Sequence, residues 1–183
     1  MKTTLRSFYH QVMPVLMALV VVSFFSGTPV WAATHADALP HLSTTVIEPE
    51  YTPQDFLVLL NAVRESNDQA PLQLNNQLNA AAEAKAEDMA QKGYFDHFRP
   101  GDHKSPWAFI NESGYNYQVA GENLAKGFRT PVGITRAWVN SPSHFANMIS
   151  AKYHDVGFAC VKTIDTNGQP VLLTVEMFGS HSE

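Results

Sequence analysis

Two histidines and one carboxylate stand out among the side chains that could do chemistry. His97 closes Tyr94-Phe95-Asp96-His97, Glu122 lies in Gly121-Glu122-Asn123, and His144 follows Ser141-Pro142-Ser143. Neutral imidazole suits zinc or copper, and a carboxylate serves as ligand or general base. The three are therefore the minimum kit for a divalent cation or for acid–base work. Spacing alone does not bring them together, and no H-E-x-x-H is present. Glu122 has a second reading as a structural carboxylate bonded to backbone amides of its loop. Asn123 and Asn147 either brace loops through their amides or edge a ligand cleft. Cys160, the only cysteine, alternates with Val156 and Phe158 and reads as a buried small hydrophobe. Glu176, in a strand beside Met177 and Phe178, reads as facing solvent, with the cleft as the alternative. No serine or cysteine sits in a recognisable nucleophile setting.

The elements that must position these residues can be read from capping and period. Thr52-Pro53 is an N-cap followed by proline at the first helical position. Phe56, Leu59, Leu60 and Val63 then form one apolar helical stripe. A second helix is expected from Asn76 to Lys92, with Leu78, Ala81, Ala82, Ala86 and Met89 on one side and Gly93 ending it. A face rich in alanine allows close approach, so this helix should lie flat on a sheet. Helical pieces follow at Ser105–Glu112 and Pro131–Asn140, and Ser141-Pro142 restarts a short helix that carries His144 and Asn147. Near the C-terminus the period changes to two on either side of Asp165-Thr166-Asn167-Gly168, a hairpin signal. Helices first and a hairpin last predict an α+β domain with helices packed on a sheet.

Composition and the N-terminus bound where such a domain works. Lys2 and Arg6 precede an apolar stretch from Val12 to Phe25, and small residues follow in Val30-Trp31-Ala32-Ala33. That pattern predicts a signal peptide over 1–33, a flexible tether over 34–52, and a folded domain over 53–183. Pro14 and Ser26-Gly27-Thr28-Pro29 keep the apolar stretch short of the roughly 20 residues a spanning helix needs. No stable membrane span is expected after cleavage, and the product is secreted or periplasmic. Cleavage removes two bases and no acid, so the formal charge moves from −5 to −7. An acidic chain without a Lys/Arg cluster argues against nucleic acid as a partner. With one cysteine there is no intramolecular disulfide, and the core alone must hold the domain.

Four motifs in order carry a resemblance. They are Tyr94-Phe95-Asp96-His97, then Ala120-Gly121-Glu122-Asn123-Leu124-Ala125, then Ala137-Trp138 through His144-Phe145-Ala146-Asn147-Met148, then Asp155-Val156-Gly157-Phe158. Over about residues 53–179 the chain resembles the CAP (SCP-like) superfamily of cysteine-rich secretory proteins, antigen 5 and plant pathogenesis-related proteins, and is most like its bacterial secreted branch. The resemblance implies a three-layer α-β-α sandwich, with helices flanking a small antiparallel sheet. It also implies a central cleft that often holds a divalent cation, commonly zinc. Carried over by position, His97, Glu122 and His144 match the cleft residues. Members with the fuller tetrad have a second acid just after the tryptophan of the third motif, where this chain reads Asn140-Ser141.

Two functions follow as expectations. One is an extracytoplasmic binding module for a small lipid or a protein ligand, as the resemblance implies. The other is a metal-dependent peptidase or esterase, in which Glu122 activates a water on a cation held by His97 and His144.

Overall fold

The computed structural model describes residues 51–181, so the expected signal peptide and nearly all of the expected tether lie outside the described residues. Helix α1 spans Pro53–Glu65, and the Thr52 backbone N–H donates to Asp55 Oδ2 at 2.7 Å to fix its start. Its buried face is Phe56, Leu60 and Arg64, with Leu59 and Val63 at the margin. Arg64 is buried because its guanidinium donates to the carbonyls of Ala70, Met148 and Ser150 at 2.7, 2.8 and 3.0 Å.

Strand β1 (Gln73–Leu74) leads into α2 (Asn76–Lys92). Asn75 Oδ1 accepts from the N–H groups of Gln77 and Leu78, and Gly93 closes the helix with φ 68°. Leu78, Ala81, Ala82, Ala86 and Met89 are all buried. The alanine face lets α2 touch the sheet backbone: a Cβ at Gly157 would come within 2.1 Å of the Leu78 carbonyl carbon. After α3 (Pro106–Glu112) come β2 (Tyr117–Phe128), α4 (Pro131–Val139), α5 (Pro142–Met148), β3 (Asp155–Ile164) and β4 (Pro170–His181).

The strand order is β1-β3-β4-β2. The β3–β4 and β4–β2 pairs are antiparallel, and β1 runs parallel to β3. Strand β2 is the element that periodicity does not announce. Gly121 to Ala125 are buried one after another, so no in–out alternation marks the run. Helices cover both faces. Phe56, Trp138, Met148, Phe158 and Phe178 pack in one layer with α1, α4 and α5. Leu78, Met89, Phe109, Val175 and Met177 pack in the other with α2 and α3. Consecutive β4 residues therefore serve opposite layers, which completes the three-layer α+β sandwich. Among the described residues, no helix is long and apolar enough to cross a membrane.

Candidate functional site

Strand β2 ends the sheet, and a cleft of about 400 Å³ opens beside it. His97, Glu122 and Asn147 contribute polar groups to its wall, and Phe98, Trp107 and Tyr153 contribute rings. His97 arrives there because Gly93 turns the chain off α2 and Lys85 holds the turn. Lys85 sits on the buried face of α2, and its Nζ donates to the carbonyls of Asp96 and His97 at 2.8 and 2.7 Å. Burial pushes its pKa down, opposed first by the negative charge of Glu122.

Glu122 points from β2 into the same layer as α2. Its Oε1 lies 2.6 Å from His97 Nδ1, with the carboxylate buried and the imidazole half exposed. The other oxygen, Oε2, is buried without a partner. The Glu122 hydrogen bond raises the His97 pKa above the ordinary histidine value. Burial raises that of Glu122, with His97 and Lys85 pulling the other way. The pair can hold a proton, and Oε2 keeps an unused acceptor position beneath the cleft wall.

The opposite layer holds the other expected residues. Asn147 Nδ2 donates to the Glu122 carbonyl at 3.2 Å and to Asn123 Oδ1 at 2.9 Å. Asn123, fully buried, donates through Nδ2 to the His144 carbonyl at 3.2 Å and to Glu176 Oε2 at 2.8 Å. The His144 side chain turns to Ser141 instead, with Nδ1 2.8 Å from its Oγ. Burial, and then the charge of His97, lower the His144 pKa and favour neutral imidazole. His97, Glu122 and Asn147 thus line the cleft directly, while Asn123 and His144 are not part of its lining. Among the described residues, no group of three His, Cys, Asp or Glu side chains is arranged to hold a metal ion. Glu122 is engaged with His97, Ser141 takes His144 Nδ1, and Asn140 stands where the fuller tetrad has an acid.

The cysteine-rich secretory protein family model, CAP, matches residues 57–177. This chain belongs to the CAP family. It is 38% identical over 105 residues to the Bacillus subtilis protein YkwD, a match covering 57% of this chain and 40% of that protein. It is 26% identical over 104 residues to the B. subtilis membrane protein YlbC, covering 57% of this chain and 30% of YlbC. The chain therefore matches less than half the length of either relative. Among solved structures, an outer surface protein of Borrelia burgdorferi aligns with TM-score 0.61 at 22% identity, over 73% of this chain and 97% of that one. An extracellular SCP-domain protein of Bacillus anthracis aligns with TM-score 0.59 at 21% identity, over 69% and 39%. At these identities the structural likeness is one of fold.

Within the CAP domain, two readings of the sequence are corrected. Glu122 makes no bond to backbone amides of its loop; its partner is the His97 ring. Glu176 is fully buried instead of solvent-facing, because β4 is a central strand between two helical layers. The sequence reading also missed Lys85, Phe98, Trp107 and Tyr153. Lys85 carried a signal, a lone cation at helical spacing within the stripe Leu78, Ala81, Ala82, Ala86, Met89. The Tyr153 hydroxyl sits 2.4 Å from where a Gly121 Cβ would be, so Gly121 is small to admit that ring. Nothing in local sequence pairs those two.

Proposed function

We propose that this CAP domain is an exported binding module whose cleft seats the hydroxyl head of a small lipid. The observation that carries the reading is Glu122 Oε2, a buried acceptor without a donor, on a residue that borders the same cleft as Phe98, Trp107 and Tyr153. A hydroxyl would donate to that oxygen while its apolar body lies against the aromatic walls. None of the cleft-lining residues is serine, threonine or cysteine, so an alkyl hydroxyl or thiol nucleophile is not at hand. Export rests on the signal pattern of residues 1–33, and the B. anthracis neighbour is described as extracellular.

The test is equilibrium binding of a fluorescent sterol and of its methyl ether to the purified mature protein. The free hydroxyl should bind at least about tenfold more tightly, the worth of one buried hydrogen bond to a charged acceptor. Equal affinity for both, or none for either, overturns the lipid reading and turns attention to protein ligands.

The free oxygen beside His97 is also what a general base presents, so the hydrolytic reading stays open to one experiment. Peptide and ester hydrolysis by the mature protein would have to vanish in Glu122→Gln. Three cation ligands are not gathered among the described residues, so in this reading Glu122 acts with His97 alone. Zinc titration beside the His97→Ala/His144→Ala variant reads that point separately. One saturable site lost in the variant would put both histidines on one ion.

A further inference from the structure

We infer that Glu176 is a positioning residue for the site: its carboxyl fixes the Asn123 amide, and that amide holds the backbone of His144 and the side chain of Asn147. Glu176 and Asn123 are directly opposed across the β4–β2 ladder and point into the α1/α4/α5 layer. Asn123 Nδ2 donates to Glu176 Oε2 and to the His144 carbonyl, which leaves Oδ1 to accept from Asn147. Reversing that amide would set an oxygen against the His144 carbonyl and an NH₂ against the Asn147 NH₂. Glu176 Oε2, the shorter of the two Nδ2 contacts, anchors the amide in that orientation. Through Asn147 the same chain reaches the Glu122 carbonyl, so one buried group on β4 ties α5 to β2.

What surrounds Glu176 makes it a device sensitive to protonation. The neighbours on its own strand and on β3 that share this layer are Thr174, Phe178, Cys160 and Phe158; Cys160 Sγ and Thr174 Oγ1 bond each other at 3.0 Å. From α1 comes Arg64, committed to three carbonyls. From α4 comes Trp138, whose Nε1 donates to the Leu124 carbonyl, while Arg136 is exposed. From α5 comes His144, whose ring nitrogen faces Ser141. None of these offers a counter-charge to Glu176. Its Oε1 has no partner, and burial pushes its pKa up to about 8, with only the Asn123 bond opposing. At neutral pH it is a neutral acid; at higher pH it becomes a buried anion pulling on Asn123 alone.

The test uses the free protein, needs no ligand and is independent of the lipid reading. The His144 ring and the Asn123 side-chain amide are followed by NMR between pH 6 and pH 10 in wild type and Glu176→Gln. Glutamine keeps an acceptor for Asn123 but cannot ionise. In wild type both resonances should show an inflection near pH 8, and in Glu176→Gln that inflection should be lost. The same inflection in both proteins, or none in either, overturns the inference. Glu176→Leu removes the acceptor; if it folds, the His144 resonance should shift at pH 6, and an unmoved resonance also overturns it.

Discussion

Glu122 and Glu176 stand on neighbouring strands, one row apart, and face opposite layers of the same sandwich. Both are buried carboxylates with one oxygen unpartnered. Around Glu122 the chain has gathered a histidine that can carry its proton and a lysine whose charge opposes the effect of burial. Around Glu176 it has placed a single amide. The first borders a cleft and the second is sealed in the core. The contrast shows that burial alone does not make a carboxylate reactive. Glu122 can pass a proton to solvent through the half-exposed His97 ring, whereas Glu176 can only change the geometry of its neighbours.

The largest effect that would separate the two carboxylates is in stability against pH for Glu176→Gln. Glu176 has a folded pKa raised well above its unfolded value, so its stabilisation is full at low pH. It is lost as pH rises, mainly between about pH 4.5 and pH 8. The glutamine variant should therefore gain on wild type across that window by on the order of a few kcal/mol, then run parallel above it. Denaturant unfolding at pH 5, 7 and 9 reads this directly, and a constant gap would show that Glu176 does not titrate as described.

Lys85→Met comes next. It leaves the carbonyls of Asp96 and His97 without their donor and removes the cation that faces Glu122. A loss of about 3 kcal/mol is expected, measured by urea unfolding at pH 7. A loss below about 1 kcal/mol would mean the turn holds His97 without it.

Smaller still is Glu122→Gln. Both partners of the His97–Glu122 pair have pKa values raised on folding, so the pair stabilises most at low pH and weakens as pH rises through the histidine range. With the ring half exposed, the variant should lose only about 0.5–1 kcal/mol at pH 5.5, and less or none at pH 8. The same variant should abolish the preference for a lipid hydroxyl. A cost that grows with pH would reverse the assignment. Trp107→Ala should have the smallest effect on folding, within about 1 kcal/mol by thermal melting. Its mark should be several-fold weaker capture of a fluorescent sterol, and unchanged capture would remove Trp107 from the binding wall.

Much of the frame is legible in the sequence alone. Thr52-Pro53, Asn75 with Gly93, Ser105-Pro106 and Ser141-Pro142 mark helix ends through caps and fixed backbone angles, which depend only on nearby residues. The β3–β4 hairpin is equally local, since Gly168 takes φ 75° and Asp165 Oδ1 accepts from the N–H groups of Asn167 and Gln169 to close the turn. The ordered motifs pick out His97, Glu122, Asn123, His144 and Asn147 without saying which of them meet.

Tertiary structure decided the rest. Strand β2 has no readable period, because a strand covered on both faces buries consecutive residues, polar ones included. The parallel pairing of β1 with β3 joins residues about 80 positions apart, beyond the reach of any local pattern. Glu176 reads as exposed from its sequence neighbours and is buried only because β4 became a central strand of the sheet. The partners of the two glutamates were settled the same way. His97 meets Glu122 in a turn that Lys85 holds, and the His144 carbonyl meets the Asn123 amide, contacts that no spacing encodes. Local chemistry set the helices and the turn; long-range packing assigned each buried charge its company, and with it the work it can do.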